Sequence, residues 1–154
     1  MNVGKLCNPA VVVVHRDTSL HAAAKLMRAH HVGSLVVVEE NDRGQVPVGI
    51  LTDRDIVIEV VAMGLDCHAA TAGEIISPQL IAVQEGDTVL EVLKVMRRHG
   101  VRRTPVLTAA GSLAGIITLD DIMEIIAEGF EDMSKTIADE QSTEVRLRKS
   151  FSPL

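Results

Sequence analysis

The chain contains no tryptophan and no tyrosine, and of its 154 residues only Phe130 and Phe151 carry an aromatic side chain. Surfaces that stack nucleic-acid bases depend on exposed rings, so this shortage argues against such a surface. Positive charge is scarce too. Fifteen lysines and arginines face 21 aspartates and glutamates, a formal net charge of −6, which disfavours general binding to phosphate backbones or anionic membranes. No apolar run reaches the length of a membrane span, and the first residues lack the charged-then-apolar layout of a secretion signal. Two cysteines, Cys7 and Cys67, make neither a disulfide framework nor a zinc ligand set. No Ser–His–Asp order, phosphate loop or paired catalytic carboxylate stands out. The expectation is a reduced, soluble, cytoplasmic protein that is not an enzyme, with no catalytic cofactor, no metal, and neither nucleic acid nor membrane as a partner.

Core material, by contrast, is ample. Apolar residues make up 47% of the chain, nearly all of them Val, Ile, Leu, Ala and Met, enough for one compact module or two small halves packed together. The order of these residues repeats. Sliding the sequence on itself by 69 positions pairs Gly4 with Gly73, Pro9 with Pro78, Lys25 with Lys94, Met27 with Met96, His30 with His99 and Val37 with Val106. Further on the offset becomes 66, pairing Gly49, Thr52, Asp55 and Ile56 with Gly115, Thr118, Asp121 and Ile122. The difference falls in a polar turn, where an insertion costs little.

Each copy reads as strand–helix–strand–strand–helix. Asn2 and Thr71 are candidate caps for short opening turns. Extended runs Val11 to Val14 and Leu80 to Val83 follow, rich in β-branched residues. A helix then has Leu20, Ala23, Ala24 and Met27 at helical spacing in one copy and Val89, Val92, Leu93 and Met96 in the other. Thr18 is the expected cap of the first, Asp87 or Thr88 of the second. Strands are expected over Ser34 to Val38, Val46 to Leu51, Thr104 to Leu107 and Leu113 to Ile117. Closing helices are expected from Asp53 to about Met63 and from Leu119 to about Glu128. The predicted fold class is α+β, two βαββα repeats packed as a pseudo-twofold pair. Repeat 1 spans residues 2–64, a linker 65–73, repeat 2 residues 71–128, and a polar, partly helical tail 129–154. Beyond Gln141 the apolar pattern fades, and Ser150 to Leu154 is expected to be loose.

With the repeat and both G-h-h-T-x-x-D signatures (Gly49 to Asp55, Gly115 to Asp121) in hand, the chain resembles a tandem pair of cystathionine-β-synthase (CBS) domains, a Bateman module. The resemblance covers roughly residues 2–128. It implies a regulatory sensor of adenosine nucleotides, with clefts between the repeats for AMP, ADP, ATP, S-adenosylmethionine or NAD. The final Asp of each signature would hold the ribose hydroxyls, since charge-assisted hydrogen bonds are the stronger kind. Its Thr opens a helix, whose free N–H groups and dipole favour phosphate. Carried over by register, Thr52 and Asp55, with Ile50, would meet Ser77, Ile81, Val101 and Arg102. Thr118 and Asp121, with Ile116, would meet Asn8, Val12, Val32 and Gly33. Arg102 and Arg103, before Pro105-Val106, match the family's phosphate grip. Repeat 1 has Gly33 and Ser34 at those positions, so the two clefts are expected to differ. With no ring available, aliphatic side chains and backbone must grip adenine.

Simpler readings compete. Each Thr-x-x-Asp is also a capping box in the broad sense. Arg97 and Arg98, beside His99, suit a solvated helix end. Cys67-His68 and His30-His31 are adjacent pairs, and neighbours on a helix or strand point different ways. Cys7 matches Ile76 in register, which suggests a buried apolar position. Apolar residues on the closing helices (Ile56, Val57, Val60 and Val61; Ile122, Ile125 and Ile126) suggest a homodimer, as in the family. No effector domain accompanies the pair, so a separate protein effector is expected. The rival reading is a ligand-free CBS-pair scaffold for dimerisation and interaction.

Overall fold

The computed structural model describes residues 2–150, apart from the side chain of Ser150. The chain forms two compact units, Met1–Thr118 and Leu119–Leu154. In the first, a 3-10 turn (Val3–Lys5) leads to β1 (Val13–Val14), α1 (Leu20–His30), β2 (Ser34–Asn41), β3 (Gly44–Thr52) and α2 (Asp53–Asp55). Helix α2 continues as a π-helical turn, Ile56–Val61. The second copy supplies α3 (Ala72–Ile75), β4 (Val83–Gln84), α4 (Val89–His99), β5 (Arg103–Leu107) and β6 (Leu113–Thr118). The second unit is a single helix, α5 (Leu119–Ser150). No helix among the described residues is long and apolar enough to cross a membrane.

The fold is α+β, with two three-stranded sheets ordered β1-β2-β3 and β4-β5-β6. In each, the first strand runs parallel to the second and the second antiparallel to the third. Both hairpins carry a register shift at the same repeat position, between Val37 and Val38 and between Val106 and Leu107. The parallel strands are shorter than their β-branched runs suggest, because only Val13↔Val36 and Val14↔Val37, then Val83↔Val106 and Gln84↔Leu107, are in register. Helices α1 and α4 bury most of the expected stripe, Leu20, Ala23 and Met27 in one and Val92 and Met96 in the other, whereas Ala24 is exposed and Val89 and Leu93 are half-buried. The cap of α1 is Ser19, whose oxygen accepts from Ala22 N at 3.2 Å. Thr18 instead accepts from His15 N at 3.1 Å. Thr88 caps α4 in a capping box with Glu91, as Thr71 does for α3 with Glu74.

The opening segment of each repeat packs on the other repeat. Val3 N and Gly4 N donate to Asp87 O and Glu85 O at 2.8 and 2.9 Å, and Ala72 N and Gly73 N donate to Thr18 O and Arg16 O at 2.9 and 2.8 Å. Ala72 and Ile76 accordingly sit in the core around Leu20, Leu35, Val37 and Leu51. Cys7, in register with Ile76, is likewise buried. The glycine opening each signature stands where these segments cross. A Cβ on Gly49 would lie 2.6 Å from Ile76 Cδ1, and one on Gly115 would lie 2.6 Å from Cys7 Sγ and 2.8 Å from Asn8 O.

Two elements depart from the sequence expectation. The first closing helix is α-helical only over Asp53–Asp55 before bonds such as Ala62 N to Val57 O (2.9 Å) widen it to a π-turn. Helix α5 does not stop near Glu128 but runs to Ser150. Its polar half carries i,i+4 ion pairs, Lys135 with Glu131 at 2.8 Å and Arg148 with Glu144 at 4.0 Å, which help support it. Of the end expected to be loose, Ser150 to Leu154, Ser150 closes α5 and Phe151 to Leu154 lie outside the described residues.

Candidate functional site

Strand β3 ends at Thr52, where the backbone turns into α2 and needs acceptors for its first N–H groups. Thr52 Oγ1 accepts from Asp55 N at 3.1 Å. In return Asp55 Oδ2 accepts from Thr52 N at 2.8 Å and from Thr52 Oγ1 at 2.7 Å. The capping box anticipated from the spacing is thus formed. Both of its bonds converge on one carboxylate oxygen. Asp55 Oδ1 takes no bond among the described residues, and the carboxylate is only half-buried.

Asp55 opens onto a cavity of about 480 Å³ that draws on both repeats. Its lining includes Ile50, Thr52 and Asp55 from the first repeat and Ser77, Ile81, Val101, Arg102 and Arg103 from the second, so the whole first group assembled from the sequence borders one space. The walls combine half-buried Ile50, Leu80, Ile81 and Val101 with a polar rim. Three arginines, Arg54, Arg102 and Arg103, outnumber the two aspartates, Asp53 and Asp55, giving the rim a positive balance within an acidic chain. A volume of this size lies in the range of small-molecule sites, roughly 300–1,000 Å³.

Thr104, buried in β5, sets the position of one wall. Its hydroxyl donates to Ile81 O at 2.9 Å, holding the Ile81 backbone on the sheet. The register partner of Thr104 in repeat 1 is Leu35, which has no hydroxyl.

The members of the second group fall differently. Asn8 and Ile116 pair through their backbones, Asn8 N to Ile116 O at 2.9 Å and Ile116 N to Asn8 O at 3.0 Å. Val12 accepts from Val36 N at 3.1 Å, and Val32 donates to Met27 O at 3.1 Å. Thr118 closes β6, while Asp121 lies in the first turn of α5, in the second unit. Gly33 lies against residues of the first cavity. A Cβ there would stand 3.1 Å from Asp53 Oδ2 and 3.7 Å from Arg103 Nη1, and Gly33 O accepts from Asp53 N at 3.1 Å. Asp53, Arg54, Gln79, Leu80 and Gly100 also line the cavity and were not singled out in the sequence. Asp53 and Arg54 lie within the first signature, Gln79 and Leu80 between Ser77 and Ile81, and Gly100 beside Val101.

No metal was expected, because Cys67-His68 reads as an adjacent pair pointing different ways, yet three potential metal ligands gather away from the cavity. Ligand atoms of His21, Cys67 and His68 all lie within 4.8 Å of one another. Adjacency alone concealed this, because the third partner, His21, comes from another element. Cys7 is not part of the group, and burial raises its thiol above the ordinary value of 9.0.

The CBS domain family profile matches residues 3–62 and again 72–128. The chain belongs to the CBS domain family. Hypoxic response protein 1 of Mycobacterium tuberculosis is 41% identical over 123 residues, which cover 80% of this chain and 83% of that protein. The crystal structure of Hypoxic Response Protein I with two coordinated zinc ions superposes at a TM-score of 0.71 with 40% identity, covering 80% of this CBS chain and 98% of the other. A CBS domain protein from Pyrobaculum aerophilum complexed with AMP gives 0.69 at 26% identity, over 79% and 89% of the two chains. The CBS domain pair of protein MJ0100, in complex with 5-methylthioadenosine and S-adenosyl-L-methionine, gives 0.72 at 25% identity, over 84% and 98%.

Proposed function

We propose that this CBS pair is a regulatory module that binds an adenosine nucleotide in the cavity beside Asp55 and responds by changing its conformation or its pairing. The supporting observation is the meeting of a carboxylate with an open Oδ1, a helix start, aliphatic walls and an arginine-rich rim in one space of about 480 Å³. Asp55 Oδ1 accepts from the ribose hydroxyls. Arg102 and Arg103 meet phosphate, for which guanidinium offers two parallel donors. Adenine lies between Ile50, Ile81 and Val101, with Ser77 at the edge. Relatives in complex with AMP and with S-adenosyl-L-methionine support the ligand class. The module is cytoplasmic, regulates a separate protein effector and is not a catalyst.

A homodimer is part of this reading. Val57 and Val61 on the π-turn, and Met123 and Ile126 on α5, are large apolar side chains left exposed in the single chain, and a second copy would cover them.

Calorimetry with AMP, ADP, ATP, NAD, S-adenosylmethionine and adenosine tests the proposal. Nucleotides should bind more tightly than adenosine, weaken as salt rises, and lose that advantage in Arg102→Ala/Arg103→Ala. Adenosine binding as tightly as AMP would remove the arginines from the site. One observation favours a rival reading: the capping box satisfies Thr52 and Asp55 without any ligand, as a ligand-free CBS-pair scaffold for dimerisation and interaction would require. Absence of binding by the whole panel at millimolar concentration would establish that rival.

A further inference from the structure

The opening turn of α1 and the segment joining the repeats are tied together at one place. His21 N donates to Cys67 O and Leu20 N to Ala70 O, both at 2.9 Å. The joining segment is itself a turn wound around Asp66, whose side chain accepts from His68 N at 2.9 Å and whose carbonyl accepts from Ala69 N and Ala70 N at 3.1 and 2.9 Å. These bonds bring two imidazoles and a thiol to one surface. The rings of His21 and His68 face each other with centroids 4.1 Å apart and planes 31° apart. With Cys67 Sγ, their ligand atoms fall within 4.8 Å of one another.

From this we infer a zinc site formed by His21, Cys67 and His68. Imidazole nitrogen and thiolate sulfur are the donors zinc favours, at about 2.0–2.1 and 2.3 Å, in tetrahedral arrangement. That geometry needs ligand atoms roughly 3.3–3.6 Å apart, so side-chain rotation alone closes the remaining gap. Both histidines are exposed and Cys67 is half-buried, so the ion enters directly from solvent and water takes the fourth position. Zinc binding displaces the thiol proton to solvent and forms a Zn–S bond, with no change of oxidation state.

The site would act as a clamp. His21 belongs to the first repeat, whereas the turn around Asp66 leads straight into α3, whose Ala72 N donates to Thr18 O at 2.9 Å. Zinc would therefore pin the segment that carries Ser77 to the cavity wall, without itself touching the cavity. The clamp does not depend on nucleotide binding.

The test uses the full chain, reduced and stripped of metal by a chelator, with zinc alone as ligand. Competition against a chromogenic chelator should show one zinc bound per chain. His21→Ala, Cys67→Ser and His68→Ala should each weaken binding by about tenfold or more, while His30→Ala, at the other end of α1, should leave it unchanged. Zinc should also protect Cys67 from alkylation, and cobalt(II) in its place should give a thiolate charge-transfer band that Cys67→Ser abolishes. Zinc affinity unchanged in Cys67→Ser, or the absence of that band from a folded wild-type chain loaded with cobalt, would overturn the inference.

Discussion

Replacing Asp55 by Asn separates its two proposed roles, because they use different oxygens. In the folded chain Oδ2 accepts from Thr52 N and Thr52 Oγ1 at 2.8 and 2.7 Å. An amide carbonyl placed there still accepts both, so Asp55→Asn should cost less than about 1 kcal/mol, a fall in Tm of roughly 2–4 °C. Asp55→Ala removes the acceptor altogether and should cost about 0.5–2 kcal/mol. The other position of the Asn side chain becomes an NH₂ group, a donor facing ribose hydroxyls where an anionic acceptor stood. Losing charge-assisted bonds of this kind costs about 1.5–3 kcal/mol, or roughly 10- to 100-fold in affinity. Thermal unfolding without ligand and calorimetry with AMP read the two effects separately. Asp121→Asn should weaken AMP less, since the positions expected beside it by register, Gly33 and Ser34, are not arginines. AMP affinity within twofold of wild type in Asp55→Asn would leave the carboxylate as a helix cap and remove it from the ligand site. A dominant effect of Asp121→Asn would show that the arginines serve the other cleft.

Other consequences follow from the same geometry. Gly115→Ala should destabilise the chain by about 1–3 kcal/mol and more than Gly49→Ala, because its Cβ meets backbone Asn8 O at 2.8 Å whereas that of Gly49 meets the movable end of Ile76; chemical denaturation compares them. The Glu91 carboxyl is held below its ordinary value of 4.5, first by the Thr88 backbone N–H and then by the Thr88 hydroxyl. Its stabilising effect is therefore present above the unfolded-state value and lost as pH falls through the lower folded value. Glu91→Gln should flatten the acid limb of the unfolding profile, and an unchanged limb would discount this cap. Light scattering should give twice the chain mass of 16.6 kDa, and Val57→Glu/Val61→Glu should halve it; a monomeric wild type at micromolar concentration would refute the dimer.

The repeat and its element order were legible because the same residues recur at a spacing of 69, then 66, and alternate with the right periods. Even the burial of Cys7 could be read from its alignment with Ile76. Boundaries were less legible. Thr18 and Ser19 can both cap a helix, and only the demand of His15 N decides between them. The length of α5 was less legible because the chain turns polar from Gly129 onward and its apolar pattern fades beyond Gln141, although its side chains still pair at i,i+4. At the candidate site the first group could be assembled by register, since β3 and β5 keep the repeat's geometry. The placement of Gly33 beside Asp53 and Arg103 could not, because it depends on the path of a side chain from the other repeat. The grouping of His21 with Cys67 and His68 was not legible for the same reason, since the contact of α1 with the turn at Asp66 has no local signature.

The reciprocal packing of the opening segments bears on how this protein can be divided. A cut between residues 65 and 70 would give two fragments matching the sequence repeats, yet the first would lose Ala72 and Ile76 from its core and the donors that satisfy Thr18 O and Arg16 O. The piece that retains its own covering runs instead from about residue 10 to residue 77, out of phase with the repeat. A lone copy of the repeat can complete its core only by exchanging its opening segment with another copy.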